Sequence, residues 1–288
     1  MAECVQASYD IIVFMKIRKV KSRVKISIAC VIALACVIGL GYSGYKIFEW
    51  VTDSASTSDQ TAKINDVTKT IEIKDNDKTQ VIGSGEPDDA PYWKYLHTNL
   101  LDVDFTELRN INNETAGWIQ LGGTNINYPF VQTSNNDFYL KHSFDKSYNT
   151  AGWIFEDFRN KNDGNDKNII LYAHGRNDGS MFGTLRTILT NGWLNNPDNY
   201  YVRTASDGEM ALWQVFSVYR IPTTTDYIQT SFASDKQFLK FLETIKNRST
   251  KDFGATISAT DRVLTLSTCW NTKERVVLHA KLIKRQAR

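Results

Sequence analysis

Cys269 and Arg275 flank a short polar turn, and together they could carry out acyl chemistry. In Asp261–Lys281, DRVLTLSTCWNTKERVVLHAK, an alternating apolar run (Val263, Leu264, Leu266) leads to Cys269, and a second β-rich run opens at Arg275. The pattern predicts two strands joined by the turn, with thiol and guanidinium facing one pocket. A thiolate attacks a carbonyl, and an arginine can hold the oxyanion that forms. A base is still needed. Of the histidines, His174 closes the apolar run Asn168–Ala173 and precedes the polar loop GRNDGS, so it is expected at a strand end, where a rigid scaffold presents reactive groups. His142 reads as surface or a groove wall, His279 lies inside the last strand, and His97 reads as packed or surface. The four histidines at 97, 142, 174 and 279 are too scattered for a metal site, and there is no phosphate-cradling glycine loop, so neither metal nor cofactor is expected.

The isolation of the thiol depends on where the chain lies. Residues 1–25 hold six Lys/Arg against Glu3 and Asp10. The small net charge of +2 therefore reports a local basic cluster rather than a nucleic-acid-binding surface. Ile26–Tyr45 follows, twenty residues without a charge, long enough to cross a bilayer as a helix. Positive flanks stay inside, which puts the N-terminus in the cytoplasm and everything after Lys46 outside. The other reading is a cleaved signal peptide, and small residues near Ser54–Ser56 leave it open. Of the four cysteines, Cys4 falls in the basic stub, Cys30 and Cys36 fall in the apolar run, and Cys269 is alone in the exported part. Exported domains use cysteines in pairs, so a lone one favours a nucleophile over a buried small hydrophobe.

The expected organisation is a basic stub at 1–25, a membrane anchor at 26–48, a flexible extracellular linker at 49–89 with at most short strand-like pieces around Lys69–Lys74, and a folded domain at 90–288. Within that domain Trp93, Leu96, Leu100, Phe105, Leu108 and Ile111 have the spacing of two short helices. After Asn112, short β-rich runs bounded by Gly, Asn, Asp and Pro argue for a barrel or sandwich, with a hairpin turn at SDG. Helices are expected at Ser180–Thr190 and Ser234–Asn247, the second with an apolar face of Phe238, Leu242 and Ile245. Trp93, Trp153, Trp193 and Trp213 read as core, and Asp157 and Asp178 as exposed loop carboxylates.

TLSTC with Arg275 beyond it, and LYAHGRNDGSMFGTL about 95 residues upstream of the thiol, resemble the sortases, membrane-anchored cysteine transpeptidases of Gram-positive bacteria. The resemblance covers roughly Ala90 to Lys284 and is nearest to class B: NNDFYLKHSF resembles the helix-bearing loop of the substrate groove, and TTTDYIQTSF the loop between the sixth and seventh strands. It implies a mostly β fold, a closed barrel of about eight strands with N-terminal helices and a long helix between late strands. It implies Cys269, His174 and Arg275 as the catalytic trio and Asn136, Leu140, Thr225, Tyr227, Ile228 and Ser267 as groove residues. The implied partners are surface proteins bearing an LPxTG- or NPxTN-like sorting signal and a cell-wall peptide amine. The residues alone also admit an extracellular cysteine peptidase that hydrolyses its thioester, or a non-catalytic surface barrel with Cys269 merely buried.

Overall fold

The computed structural model describes residues 2–83, 90–161 and 165–288. The chain divides into two compact units, Met1–Thr52 and Asp53–Arg288. The first unit belongs to helix α1 (Ala2–Val67). It exposes a band of large apolar side chains from Ile28 to Phe48. Among the described residues, one helix is long and apolar enough to cross a membrane, with a window of mean hydropathy 1.7.

The second unit begins with the end of α1, then β1 (Thr70–Ile73), β2 (Gln80–Val81), α2 (Ala90–Tyr95), β3 (Leu100–Val103) and α3 (Thr106–Ile111). The linker expectation for 49–89 is corrected here for the described residues. Ile64 on α1 is core, Thr57 is buried with its hydroxyl beside Asn149, Asp53 binds Thr150, β1 pairs with β3, and β2 pairs with the last strand. Thr and Ser recur on one side of this helix end, and polar docking of that kind has no apolar periodicity to betray it. The stretch 84–89, which includes most of GSGEPDD, lies outside the described residues. The two short helices expected after Ala90 are α2 and α3, but Leu100 lies on a strand between them. Trp93 is corrected from core to 49% exposed, whereas Trp153, Trp193 and Trp213 are buried.

The strands β4 (Thr115–Leu121), β5 (Asn127–Val131), β6 (Phe155–Glu156), β7 (Asn168–Tyr172), β8 (Tyr201–Ser206), β9 (Glu209–Pro222), β10 (Val263–Cys269) and β11 (Glu274–Ala287) build the barrel. They pair in the order β10-β7-β6-β5-β4-β8-β9-β11, and β11 closes onto β10, giving a closed eight-stranded barrel to which β2 adds an outer edge. Two features expected from sequence are present: the SDG turn joins β8 to β9, and α5 (Asp235–Asn247) lies between β9 and β10; the helix expected at Ser180–Thr190 is instead a 3₁₀ segment, Gly183–Leu189, followed by the short α4 (Asn191–Leu194). The Ser234 hydroxyl caps α5 by accepting from Gln237 N. Phe238, Leu242 and Ile245 on α5 pack with Phe216, Tyr219, Val263 and Val277 on the outer face of β9, β10 and β11. Leu264, Leu266, Val276 and Leu278 point the other way, into the main core, as the period of two along a strand requires.

His279 and Glu156 are buried titratable groups. His279 is fully buried between Tyr219 OH (2.8 Å) and Thr265 Oγ1 (2.9 Å). Asn168 donates to Gln229 O and so presents Oδ1 to the Thr265 hydroxyl, which leaves His279 Nδ1 as donor and Nε2 as acceptor from Tyr219. Burial, with Arg248 nearby, pushes this neutral ring down to about 3. Glu156 is also buried, and among the described residues neither carboxyl oxygen has a hydrogen-bond partner. Burial, then the charges of Asp166 and Asp157, push its pKa up to about 8.

A carboxyl whose pKa is raised by folding loses stability as pH climbs from its ordinary value of 4.5 towards about 8, because the unfolded chain ionises first. Glu156→Gln keeps the shape without the proton. Denaturant midpoints should show it more stable than the parent at pH 8, by on the order of a few kcal/mol, with the difference closing near pH 4.5. A difference independent of pH would contradict the assignment.

Candidate active site

Three strand ends converge at one end of the barrel. β10 runs parallel to β7, with Ser267 opposite Tyr172, and antiparallel to β11, with Cys269 directly opposite Arg275. Parallel neighbours finish at the same end, so the residues after Tyr172 arrive beside Thr268 and Cys269. Alternation puts Ser267, Cys269, Arg275 and Tyr172 on one face, which is also the face that α5 covers lower down. That face opens into a cleft of about 980 Å³.

The cleft is lined by His174, Cys269 and Arg275, and also by Asn136, Leu140, Thr225, Tyr227, Ile228 and Ser267. The nine positions singled out in the sequence are therefore brought together. Tyr172, Ala173, Phe155, Thr223, Thr224 and Thr268 line it too. These were not foreseen, and for Tyr172 and Ala173 the available signal was their place next to His174 on a strand end.

Cys269 is partly exposed and forms no disulfide. The turn that follows is rigid. Asn271 Oδ1 accepts from Lys273 N (2.8 Å) and Glu274 N (2.9 Å), and Trp270 N donates to Glu274 O (3.0 Å). A side-chain acceptor two residues ahead of its donor is the usual way an Asn fixes a tight turn. The short WNTKE loop thus sets Arg275 across from the thiol instead of carrying it away. The Trp270 amide is already paired, whereas the Arg275 guanidinium lines the cleft together with Cys269. That guanidinium donates from Nη1 to Glu274 O at 3.2 Å.

His174 lies two residues past the end of β7, and its Nε2 is 2.8 Å from Leu140 O. A carbonyl only accepts, so Nε2 holds a hydrogen there and Nδ1 is the basic nitrogen of the neutral ring. Leu140 ends the 3₁₀ turn Phe138–Leu140, and Trp153 N binds Tyr139 O at 2.9 Å, which folds the loop back over the histidine. Gly152 sits at φ +62°, where a Cβ would lie 2.5 Å from Tyr139 O and 3.2 Å from His174 Cδ2, so this crossing admits only glycine. His142 stacks on Phe138 with ring centroids 3.9 Å apart, forming part of the loop rather than the reactive face.

Asp157 differs from its expectation as an exposed carboxylate: it is completely buried and organises one wall of the cleft. Arg159 donates to it from Nε (2.8 Å) and Nη2 (2.7 Å), Tyr172 OH from 2.8 Å and Asn136 Nδ2 from 3.1 Å. Burial works against its charge, but the Arg159 and Tyr172 hydrogen bonds prevail and hold the carboxyl below its usual range. A carboxylate only accepts, which fixes the Asn136 carboxamide with nitrogen towards Asp157 and oxygen on Phe158 N (3.0 Å). Arg159 Nη2 continues to Ile228 O at 2.9 Å, joining this wall to the loop opposite. Asp178 is exposed, as expected, and is held by Arg176, Ser180 and Ser54. Arg176 and Ser180 are among the groups that hold its carboxyl well below the usual range against partial burial.

A family model for the Sortase domain matches residues 119–283. Sortase B of Listeria monocytogenes is 35% identical over 185 residues, covering 62% of this chain and 74% of that protein. Sortase B of Staphylococcus aureus is 36% identical over 197 residues, covering 65% and 78%. The solved S. aureus sortase B–substrate complex superposes with a TM-score of 0.59 at 35% identity, covering 62% of this chain and 84% of that one. A sortase B complexed with triglycine gives 0.59 at 35% identity, covering 62% and 85%.

Removing the Asp157 carboxylate leaves Tyr172 OH and Asn136 Nδ2 without their acceptor. Arg159 is 40% exposed, so water screens part of that pair. Asp157→Ala should lower unfolding free energy by about 1–3 kcal/mol in denaturant titrations; an unchanged midpoint would show that the wall stands without it.

Proposed function

The chain belongs to the sortase family and is a cysteine transpeptidase with class B relatives; from that premise we propose that it cuts a sorting signal near the C-terminus of a client surface protein and joins the client to a cell-wall peptide amine. The observation that carries the reading is the common position of Cys269, His174 and Arg275 in the lining of one cleft, with Cys269 directly opposite Arg275. The S. aureus relative has been solved with a substrate and another sortase B with triglycine, which supports a peptide donor and a glycine-type amine acceptor for this chain as well.

In this reading the Cys269 thiolate adds to the carbonyl of the Thr–Gly or Thr–Asn bond of an LPxTG- or NPxTN-like signal. Arg275 binds the resulting oxyanion, and collapse expels the amine, which takes a proton from His174. The product is a Cys269 thioester of the client. The acceptor amine then attacks that thioester, gives its surplus proton back to His174 and displaces the thiolate, leaving an amide between client and wall peptide. Asn136, Leu140, Thr225, Tyr227, Ile228 and Ser267 form the walls that hold the signal. Tyr227 and Ser267 are buried and bonded to each other at 2.9 Å, so they shape the groove floor, whereas Thr225 is exposed at its rim.

The apolar helix anchors the protein in a single pass, N-terminus in the cytoplasm and catalytic unit outside. The basic flank supports that orientation, and the location of the acceptor outside the membrane agrees with it.

Cys269→Ala and His174→Ala should each lower kcat/KM on a fluorogenic sorting-signal peptide by roughly a thousandfold or more, and Arg275→Ala by roughly a hundredfold to a thousandfold, with circular dichroism unchanged. Near-parental turnover in any variant removes that residue from the reaction.

A further inference from the structure

The regular ladder between β7 and β10 stops at the Tyr172–Ser267 pair, yet His174 and Cys269 both lie beyond it. Side chains hold the seam from there on. Thr268 Oγ1 donates to Ala173 O at 2.8 Å. Arg186, on the 3₁₀ turn Gly183–Leu189, uses all three guanidinium nitrogens along the same line. Its Nε donates to Cys269 O at 3.3 Å, its Nη2 to Gly175 O, and its Nη1 to Asn177 Oδ1 at 2.8 Å.

The two strand ends approach as closely as their backbones allow. A Cβ at Gly175 would lie 2.5 Å from Cys269 O, 2.9 Å from Arg186 Nε and 3.0 Å from Thr268 Oγ1. The arginine is itself fixed: Leu185 and Ile188 on its turn are buried, and Phe182 N, just ahead of the turn, donates to His174 O at 3.1 Å. Two carbonyl oxygens facing one gap repel each other unless a donor stands between them. A planar guanidinium supplies two donors in a rigid fork, which an ammonium on a flexible stem cannot reproduce.

Resting on the transpeptidase reading, we propose that Arg186 is a positioning residue, bridging the carbonyls of Cys269 and Gly175 so that thiol and imidazole are held in register. Arg186 touches no substrate in this scheme. It acts through the two residues that do.

The test compares full-length Arg186→Gln, Arg186→Lys and Cys269→Ala in detergent micelles with the parent, using a fluorogenic sorting-signal peptide and triglycine. kcat and KM are determined separately for each protein. The expected result is a fall in kcat of roughly tenfold to a hundredfold in both arginine variants, with KM within about twofold, since small displacements of reacting groups act on the chemical step. Parental kcat in both variants overturns the proposal, as does a loss that falls equally on KM. If Arg186→Gln does not fold, Arg186→Lys decides by its kcat. Cys269→Ala separates the two levels: if it is inactive, parental arginine variants overturn the role of Arg186 alone, and if it turns over peptide, both readings fall.

Discussion

β10 is hydrogen-bonded on both sides, parallel to β7 and antiparallel to β11, and the active end of the molecule depends on that double pairing. Closure of a barrel leaves no free edge, so the register of the closing strand is fixed by both neighbours at once. A parallel partner must end where β10 ends, and an antiparallel partner must begin there. The histidine after β7, the cysteine ending β10 and the arginine opening β11 are therefore delivered to one place by topology. Shifting β10 by a single residue would turn Cys269 to the interior and leave Leu264 and Leu266 outside, which the packed core forbids.

Loops then complete what the strands begin. The wall that faces the thiol is held by the buried carboxylate of Asp157, whose partners come from the turn after it (Arg159), from β7 (Tyr172) and from the loop that lines the cleft (Asn136). Through Arg159 the same group reaches Ile228 on the β9–α5 connection. A buried charge satisfied by five hydrogen bonds, one of them from the Arg159 backbone N–H, rigidifies its surroundings, because any loosening strands it in a poor dielectric. One wall of the cleft is thus held by the protein's own hydrogen bonds, as a preorganised site requires.

Much of this was legible in the residues. The alternating run ending in Cys269, the apolar run ending near His174 and the Ser-capped helix at α5 follow local periodicities that tertiary structure did not override. The face shared by Cys269 and Arg275 follows from strand alternation once the hairpin is recognised. What escaped depends on partners distant in sequence. Asp157 looks like any loop carboxylate until Tyr172 and Asn136 are folded onto it, and Arg186 shows its role only when two strand ends meet beside it. The end of α1 likewise carries Ser, Thr and Asn that resemble a tether, because it docks through hydroxyls and amides instead of an apolar stripe. Trp93 erred the other way, since one face of a short helix stays in solvent.

In the proposed reaction Cys269 forms a thioester with the client before the acceptor arrives, and intact mass spectrometry of the protein mixed with a sorting-signal peptide reads that state directly. With no amine present, Cys269 should carry an adduct equal to the peptide up to and including its Thr. Adding triglycine should remove the adduct and yield the Thr–Gly-linked product. Absence of any adduct on Cys269, or release of the free threonine acid while triglycine is abundant, would contradict it.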